Sequence, residues 1–516
     1  MHSDDRGTGF RRLHGPVPVH HAGVDPAEWE SVITGARARH ARLVSFWGSD
    51  RRPIDGTLAV HCALGDADGL HWLSLALDPR FPRYPDISGR FPAALRMQRA
   101  IADLVGLHAE GASDLRPWLR HGAWPASFHP LRCDAGPAPP GEPPAVEDYP
   151  FVRVEGDGVH EIPVGPVHAG IIEPGHFRFS VVGEKVLRLE ERLGYKHKGI
   201  EKRFEEFAAI GGHRLAGRVS GDSTVAYAWA YCMALESIAA SDVPPRAAWL
   251  RALMLERERV ANHLGDLGAL GNDAAFGFGL AQFMRLKEDW LRLSNDAFGH
   301  RMMMDRVVPG GVVADLDPDA ARLIRAQCDA IERELRTLRS IYDEHPGLQD
   351  RFMTTGCVSR ELALELGLCG MAARASGAVR DLRRDHPHAP YDRLSVQVAS
   401  EASGDVAARV AVRFDEAFES LRLIRAICDE LPAGPVLAEL RRLPAGGLGA
   451  GWVEGWRGEV LVALELDDGG NIRRCHCHDP SWQNWPVLEY AVIGNIVPDF
   501  PLINKSFNLS YSGHDL

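Results

Sequence analysis

The 516-residue chain is marked first by what it does not contain. Nine cysteines are present, at 62, 133, 232, 328, 357, 369, 428, 475 and 477, and no two of them form a C-x-x-C. An odd, dispersed set is not a disulfide framework. No run of about eighteen apolar residues occurs, so no membrane-spanning helix is predicted. The opening stretch MHSDDRGTGFRRLHG has no apolar core and does not read as a secretion signal, so the chain reads as cytoplasmic. Basic residues are outnumbered, 58 Lys and Arg against 70 Asp and Glu, and the formal net charge is -12. Without a long basic block, nucleic-acid binding is not expected. There is no P-loop, no G-x-G-x-x-G after a strand and no legible Ser-His-Asp set; GEKVLR and LGALG are too weak to mark a nucleotide site.

What is there is an ordinary globular composition, 45% apolar and 25% charged, in a chain long enough for two or three domains. Residues 133–150, CDAGPAPPGEPPAVEDYP, read as an extended linker. Before it, residues 1–132 form a small mixed α/β domain: GTLAVHCAL and LHWLSLAL have strand character, and FPAALRMQRAIADLVGL is helical. After it, residues 151–516 begin with alternating strand segments. From about residue 222 long helical segments take over, and a strand-rich tail, GEVLVALELDDGGNIRRCHCHDP, follows them. Within that tail Cys475 and Cys477 alternate on a strand, as small residues of a half-buried face rather than a metal pair. The predicted class is α+β, with a long helical bundle carrying strands at both ends.

The segment GPVHAGIIEPGHFRFSVVGEKVLRLEERLGYKHKGIEKRFE (165–205) carries a resemblance. It resembles the large subunit of group 4, membrane-bound [NiFe] hydrogenases and the hydrogenase-like, D-type subunit of respiratory complex I. RVSGDSTVAYAWAYCMALE, RMMMDRVVPGGV, RASGAVRDLRRDHPHAPYD and the tail DPSWQNWPVLEYAVIGNIVPDFPLINKSFNLSYSGHDL follow in the family's order. The likeness is to the formate hydrogenlyase and hydrogenase-4 type of large subunit. Residues 91–132, with Asp103, Gly106, Gly111, Asp114 and Arg116, resemble the end of the C-type subunit of complex I, which is fused to the D-type one in some members.

The resemblance implies a nickel-iron site held by two C-x-x-C pairs, because nickel needs soft thiolate ligands. The first pair falls on Ser220 and Ser223, the second on Ser481 and Asn484. Hydroxyls and a neutral amide are poor nickel ligands, so no [NiFe] centre is expected. Cys232, nine residues past Ser223 and about two and a half helical turns away, cannot substitute. In complex I the vacated cavity binds a quinone head group between a His and a Tyr. The His corresponds to His176 in EPGHF, with His168 as second candidate; the Tyr position is Gly221, with Tyr227 further down the same helix.

Other polar positions carry two readings each. Asp222 is a proton acceptor or an acid at a helix N-terminus. Glu173 and His176 form a proton relay or a hydrogen-bonded loop. Tyr195, His197, Lys198, Glu201, Lys202 and Arg203 read as a solvated face or, by the resemblance, as a subunit contact or channel wall. His263 and Asp266, one turn apart, belong to a proton route or to a structural polar pair. Arg301, Asp305 and Arg306 read as a buried ion-pair cluster. The resemblance implies an oxidoreductase subunit active only in an assembled complex. It would be peripheral on the inner face of the cell membrane through its partners. An iron-sulfur small subunit, like the B-type subunit of complex I, would supply electrons from a [4Fe-4S] cluster, and membrane-arm subunits would lie beyond it. The expected activity passes those electrons to quinone or another acceptor, with no cofactor bound by this chain. The family carries NADH dehydrogenase and NAD-binding terms, yet no NADH site is expected here. The alternative is a non-catalytic coupling subunit of an ion-pumping complex.

Overall fold

The structure is a computed structural model that describes residues 9–136 and 149–516. The N-terminal part is built on strands β1 (Val19–Val24), β2 (Arg42–Arg51), β3 (Thr57–Asp66) and β4 (Gly69–Leu77), with the short Arg11–Arg12 at one edge. The spatial order is Arg11–Arg12, β1, β4, β3, β2; β1 and β4 run parallel and the other pairs antiparallel. Helix α1 (Pro26–Ala38) starts behind Asp25, whose carboxylate accepts from the Ala27 N–H at 2.9 Å. Helix α2 (Ala94–Val105) presses Met97, Ile101, Leu104 and Val105 onto β2. Gly48 makes that approach possible, since a Cβ there would stand 3.1 Å from Ile101.

The larger part opens with strands β5 (Val159–Val164), β6 (His176–Val182) and β7 (Lys185–Arg192), an antiparallel sheet in the order β7, β6, β5. Five long helices follow: α3 (Thr224–Ala239), α4 (Pro245–Asp273), α5 (Gly277–Phe298), α6 (Pro318–Glu344) and α7 (Val406–Glu430). A second antiparallel sheet, β8 (Leu448–Glu454), β9 (Glu459–Leu466) and β10 (Ile472–His478), precedes α8 (Ser481–Ala491), α9 (Phe500–Phe507) and the short α10 (Tyr511–Asp515). Every residue of α3 is buried. An apolar helix without a polar face has to be a core helix, and β8 lies directly on it. Cβ atoms at Gly449 and Gly451 would collide with the Ala234 and Ala230 carbonyls, at 2.2 and 1.9 Å. The α+β class, the small mixed domain followed by the helical bundle and the strand-rich tail are all as expected. Strand β8 was not foreseen, because its glycines carry no strand signal. Of the linker expected at 133–150, residues 137–148 lie outside the described residues, as does most of the opening stretch. No helix of the described residues is long and apolar enough to cross a membrane.

The two parts join through buried polar contacts. Arg96 of α2 reaches Glu191 at 2.9 Å and Glu489 at 2.7 Å, and Arg116 reaches Glu190 at 2.6 Å. On the far face of β2, Ser45 bonds His476 at 2.7 Å and Trp47 stacks on the same imidazole. His476 in turn meets Glu201 at 2.7 Å, and Arg474 meets it at 3.0 Å. Burial pushes the Glu201 carboxyl up, but the Arg474 guanidinium and the His476 imidazole more than offset it and bring it to about 2. The run 195–203 is solvated only in part: Tyr195 and Arg203 are exposed, whereas Glu201 is buried, Lys198 donates to the Val219 carbonyl and His197 bonds the Asp515 carbonyl. Cys475 and Cys477 lie side by side on β10, fully rather than half buried. Nor are Arg301, Asp305 and Arg306 a buried cluster. Arg301 is exposed and pairs with Glu288, Asp305 pairs with Arg218, and the Arg306 guanidinium bonds the Met304 carbonyl. The charges sit on a turn at the surface, where such pairs form in water.

Arg96→Ala removes the partner of the buried Glu191 and the half-buried Glu489 and should destabilise the chain by about 3 kcal/mol or more in urea denaturation; a loss below about 1 kcal/mol would mean that the junction does not depend on it.

Candidate functional site

Ser220, Gly221, Asp222 and Ser223 form one tight turn that leads into α3. Ser220 donates to the Asp222 carboxylate at 2.6 Å, and its oxygen lies 3.1 Å from the Ser510 hydroxyl. Ser510 and Ser512 are 3.5 Å apart, and the Ser512 N–H donates to Glu173 at 3.0 Å. Three serine hydroxyls thus stand in line up to the turn, and a half-exposed carboxylate is held to the first of these serines by its backbone N–H. Each hydroxyl can donate and accept.

The residue that faces Ser220 is therefore Ser510, which the sequence reading missed. Ser510 stands just before α10 and caps it by accepting the Gly513 N–H at 2.9 Å. A serine at a helix start was the signal available. Of the pair expected opposite, Ser481 touches the row through the Ser510 N–H, at 2.9 Å. Asn484 does not join the row: its amide is spent on the Cys369 backbone, accepting at 3.0 Å and donating at 3.2 Å. The Cys369 thiol lies 3.5 Å from that amide, and burial holds it well above the ordinary thiol range. The donor set at 220, 223, 481, 484 and 510 is four hydroxyls and one amide. It does not fit a nickel-iron group, which requires thiolates. Among the described residues the one group spaced like metal ligands is Asp50, Cys133 and Asp134, elsewhere, and Arg52 already bonds all three.

Arg457, in the turn between β8 and β9, closes the other side. Its guanidinium pairs with Asp222, at 2.9 Å for one N–H, touches Ser223 at 3.4 Å and stacks over Trp456 at 4.0 Å. Burial pushes the Asp222 carboxyl up, yet Arg457 and the Ser220 hydroxyl outweigh it and hold it at about 2. Asp222 is thus an ionised partner of Arg457, not an acid capping a free helix end. Beneath the turn, Glu258 accepts the Val225 and Ala226 N–H groups, at 2.6 and 3.2 Å, and burial pushes it up to about 8.

Tyr227 is sealed in the core, where its hydroxyl donates to Asp479 at 2.8 Å. At Gly221 a Cβ would meet nothing within 4 Å, so the space of the absent tyrosine is open. Of the two histidines, His168 is the one that reaches Tyr511, 3.4 Å from its hydroxyl. His176 bonds the Gly165 carbonyl and leaves its buried Nε2 without a partner. Burial lowers both imidazoles. Tyr511 was also missed by the sequence reading. It sits against Gly175, where a Cβ would stand 2.6 Å from its ring. His263 and Asp266 are separately engaged, with Glu416 at 2.9 Å and with Arg413 at 3.0 Å.

Two family models match the chain: respiratory-chain NADH dehydrogenase 30 Kd subunit over residues 22–139, and the 49 Kd subunit of the same enzyme over residues 273–446. Formate hydrogenlyase subunit 5 of Escherichia coli is 33% identical over 92% of this chain and 84% of its own length. Hydrogenase-4 component G of the same organism is 33% identical over 92% and 83%. The C/D subunit of NADH-quinone oxidoreductase from Bacteroides thetaiotaomicron is 28% identical over 77% and 79%. Among solved structures, a chain of the membrane-bound sulfane sulfur reductase, an archaeal respiratory membrane complex, superposes with a TM-score of 0.66 at 26% identity. It covers 70% of this chain and 99% of its own.

The Asp222 carboxyl is held below its unfolded range, so its pair with Arg457 contributes above about pH 4 and is lost as the pH falls toward 2. Stability measured from pH 6 to pH 2 should fall more steeply for the natural chain than for Asp222→Asn; parallel curves would remove the pair from the stability of the turn.

Proposed function

The chain belongs to the large-subunit family that takes in formate hydrogenlyase subunit 5, hydrogenase-4 component G and the C/D subunits of NADH-quinone oxidoreductase, and we propose that it is the acceptor-site subunit of a membrane-associated oxidoreductase that works without a nickel-iron centre. A partner subunit's [4Fe-4S] cluster delivers the electrons, as the family resemblance implies, and a quinone head group or another small acceptor takes them beside Gly221. Reduction of a quinone by two electrons also takes up two protons. The hydroxyls of Ser512, Ser510 and Ser220 line up beside that place, with Glu173 held by the Ser512 backbone N–H, and His168 and Tyr511 form an imidazole–phenol pair nearby.

The observation that carries this reading is that hydroxyls stand at three of the four positions where the family places thiolates, Ser220, Ser223 and Ser481, and that Ser220 continues into the Ser510 and Ser512 hydroxyls. Hydroxyls can both donate and accept protons in a donor set that cannot hold nickel. Membrane association would come through partner subunits. The second reading, a coupling subunit without chemistry, is favoured by the burial of Ser481 and Asn484 and by the tie of Arg457 to Asp222.

The two readings separate in the assembled complex. Ser510→Ala with Ser512→Ala should lower electron transfer to a water-soluble quinone by about tenfold or more, within the range of lost general acid–base catalysis, while the partner's cluster is still reduced. Unchanged turnover would favour the coupling role. Gly221→Tyr should be accommodated without loss of stability, since nothing occupies its Cβ space. The purified chain should carry no stoichiometric nickel by elemental analysis; stoichiometric nickel would overturn the reading.

A further inference from the structure

The sheet of the N-terminal part turns one face to α2 and the other to β9 and β10. On this second face, pairing places His21 of β1, Trp47 and Ser49 of β2, His61 of β3 and Trp72 and Ser74 of β4 side by side. Trp47 stacks on two imidazoles, one from each part of the chain. Its ring lies 5.2 Å from that of His61, at 26°, and 4.6 Å from that of His476, at 11°.

His61 is fully buried. The Trp72 indole N–H donates to its Nδ1 at 3.2 Å, and an indole cannot accept. These partners assign the tautomer: Nδ1 keeps its lone pair, and the ring proton sits on Nε2, 2.7 Å from the Ser49 hydroxyl. The Ser74 hydroxyl lies 2.8 Å from the same Nδ1 and 2.9 Å from Nε2 of the half-buried His21. A second proton on His61 has to enter at Nδ1, where it meets the Trp72 N–H.

The charged and titratable groups that face His61 are His21 from β1, Arg51 from β2, Glu465 from β9, and Arg473 and Arg474 from β10. Glu465 lies 3.5 Å from Nε2 and is shared by Arg51, at 3.1 Å, and Arg473. Arg51 also takes Asp55 at 2.8 Å, and Arg474 takes Glu201 at 3.0 Å. Three guanidiniums thus meet three carboxylates, and the junction is balanced while its imidazoles are uncharged. A charged His61 adds one unmatched charge in a buried place. Burial, with His21 and the three guanidiniums behind it, holds His61 well below the ordinary imidazole range. Burial and Arg11 lower His21 to about 4.

We propose that His61 is an acid-operated latch on the contact between the two parts. Uncharged, it keeps the polar face of the sheet closed on β9 and β10. A proton taken from water at Nδ1 breaks the Trp72 bond, leaves a surplus charge in the junction and opens it. The folded chain holds the imidazole uncharged, so its contribution is complete above about pH 6.5, the unfolded value, and is lost as the pH falls below that. The latch is independent of the acceptor-site reading.

The test is hydrogen exchange of the full chain, read by mass spectrometry from about pH 7.5 to about pH 5 and corrected for the intrinsic pH dependence of exchange. Protection of β3 and β9 should fall with pH, while α6 keeps its protection. The fall should be steeper in the natural chain than in His61→Gln by about tenfold for each pH unit below about 6.5, the effect of one proton. The glutamine amide can still accept from Trp72 and donate to Ser49, and it takes up no proton. His61→Asn, with its amide at the Nδ1 position, should behave in the same way and serves if His61→Gln does not fold. Equal pH slopes in the natural chain and a folded amide variant would overturn the latch. So would protection of β3 and β9 that survives to about pH 5, or its loss together with that of α6, either of which is read on the natural chain alone.

Discussion

One guanidinium holds the serine turn in place. Arg457 stands in a two-strand connection, lies flat on Trp456 and reaches the carboxylate that the turn presents and the carbonyl at the end of α9. Three segments far apart in sequence, near residues 222, 457 and 508, therefore meet at one charge. A buried charge without a partner is costly, so the arrangement is all or none: with Asp222 in place, the arginine is neutralised and the turn is anchored. The Trp456 indole adds a second contact by donating to the Asp222 carbonyl at 3.0 Å.

The same logic extends through the helical bundle. Arg374 is fully buried and bonds Glu416 at 2.7 Å and Glu454 at 2.9 Å, with Asp381 at 3.6 Å. Arg383 bonds Asp381 and Glu256, and Glu256 also accepts from Tyr391 and Ser420. Such chains of buried ions add little net stability over apolar packing, since desolvation offsets attraction. They do specify geometry, because a slip of one turn in any helix would leave charges unpaired in the core. A hydroxyl row that needs contacts of about 3 Å is served by a scaffold with that property.

The elements were legible because their patterns are local. Helices α3 to α7 announce themselves by length and apolar spacing, and β3, β4, β9 and β10 by short β-branched and apolar runs. The resemblance located the turn at 220–223 and the loop carrying His168 and His176. Its limit was the opposite wall of the site. Ser481 and Asn484 follow an Asp-Pro in the expected place, yet the fold turns Asn484 to Cys369 and brings Ser510 to Ser220 instead. Nothing local distinguishes those serines, because which hydroxyl faces which is a property of how α8, α9 and α10 stack. The same holds for Arg301 and Asp305, whose charges looked like a core cluster and lie on the surface.

By itself the sequence determined the class of fold, the order of its two parts and the loss of every thiolate from the expected metal positions. Those follow from residue type and local period, which need no knowledge of the rest of the chain. Only the tertiary structure decided that Ser510 rather than Asn484 faces Ser220, and that His168 rather than His176 meets the Tyr511 hydroxyl. These are contacts between residues up to 343 positions apart in the chain. Long-range packing sets them, since a hydroxyl, an imidazole or an amine acquires its chemistry from the groups that the fold brings within hydrogen-bond and ionic reach.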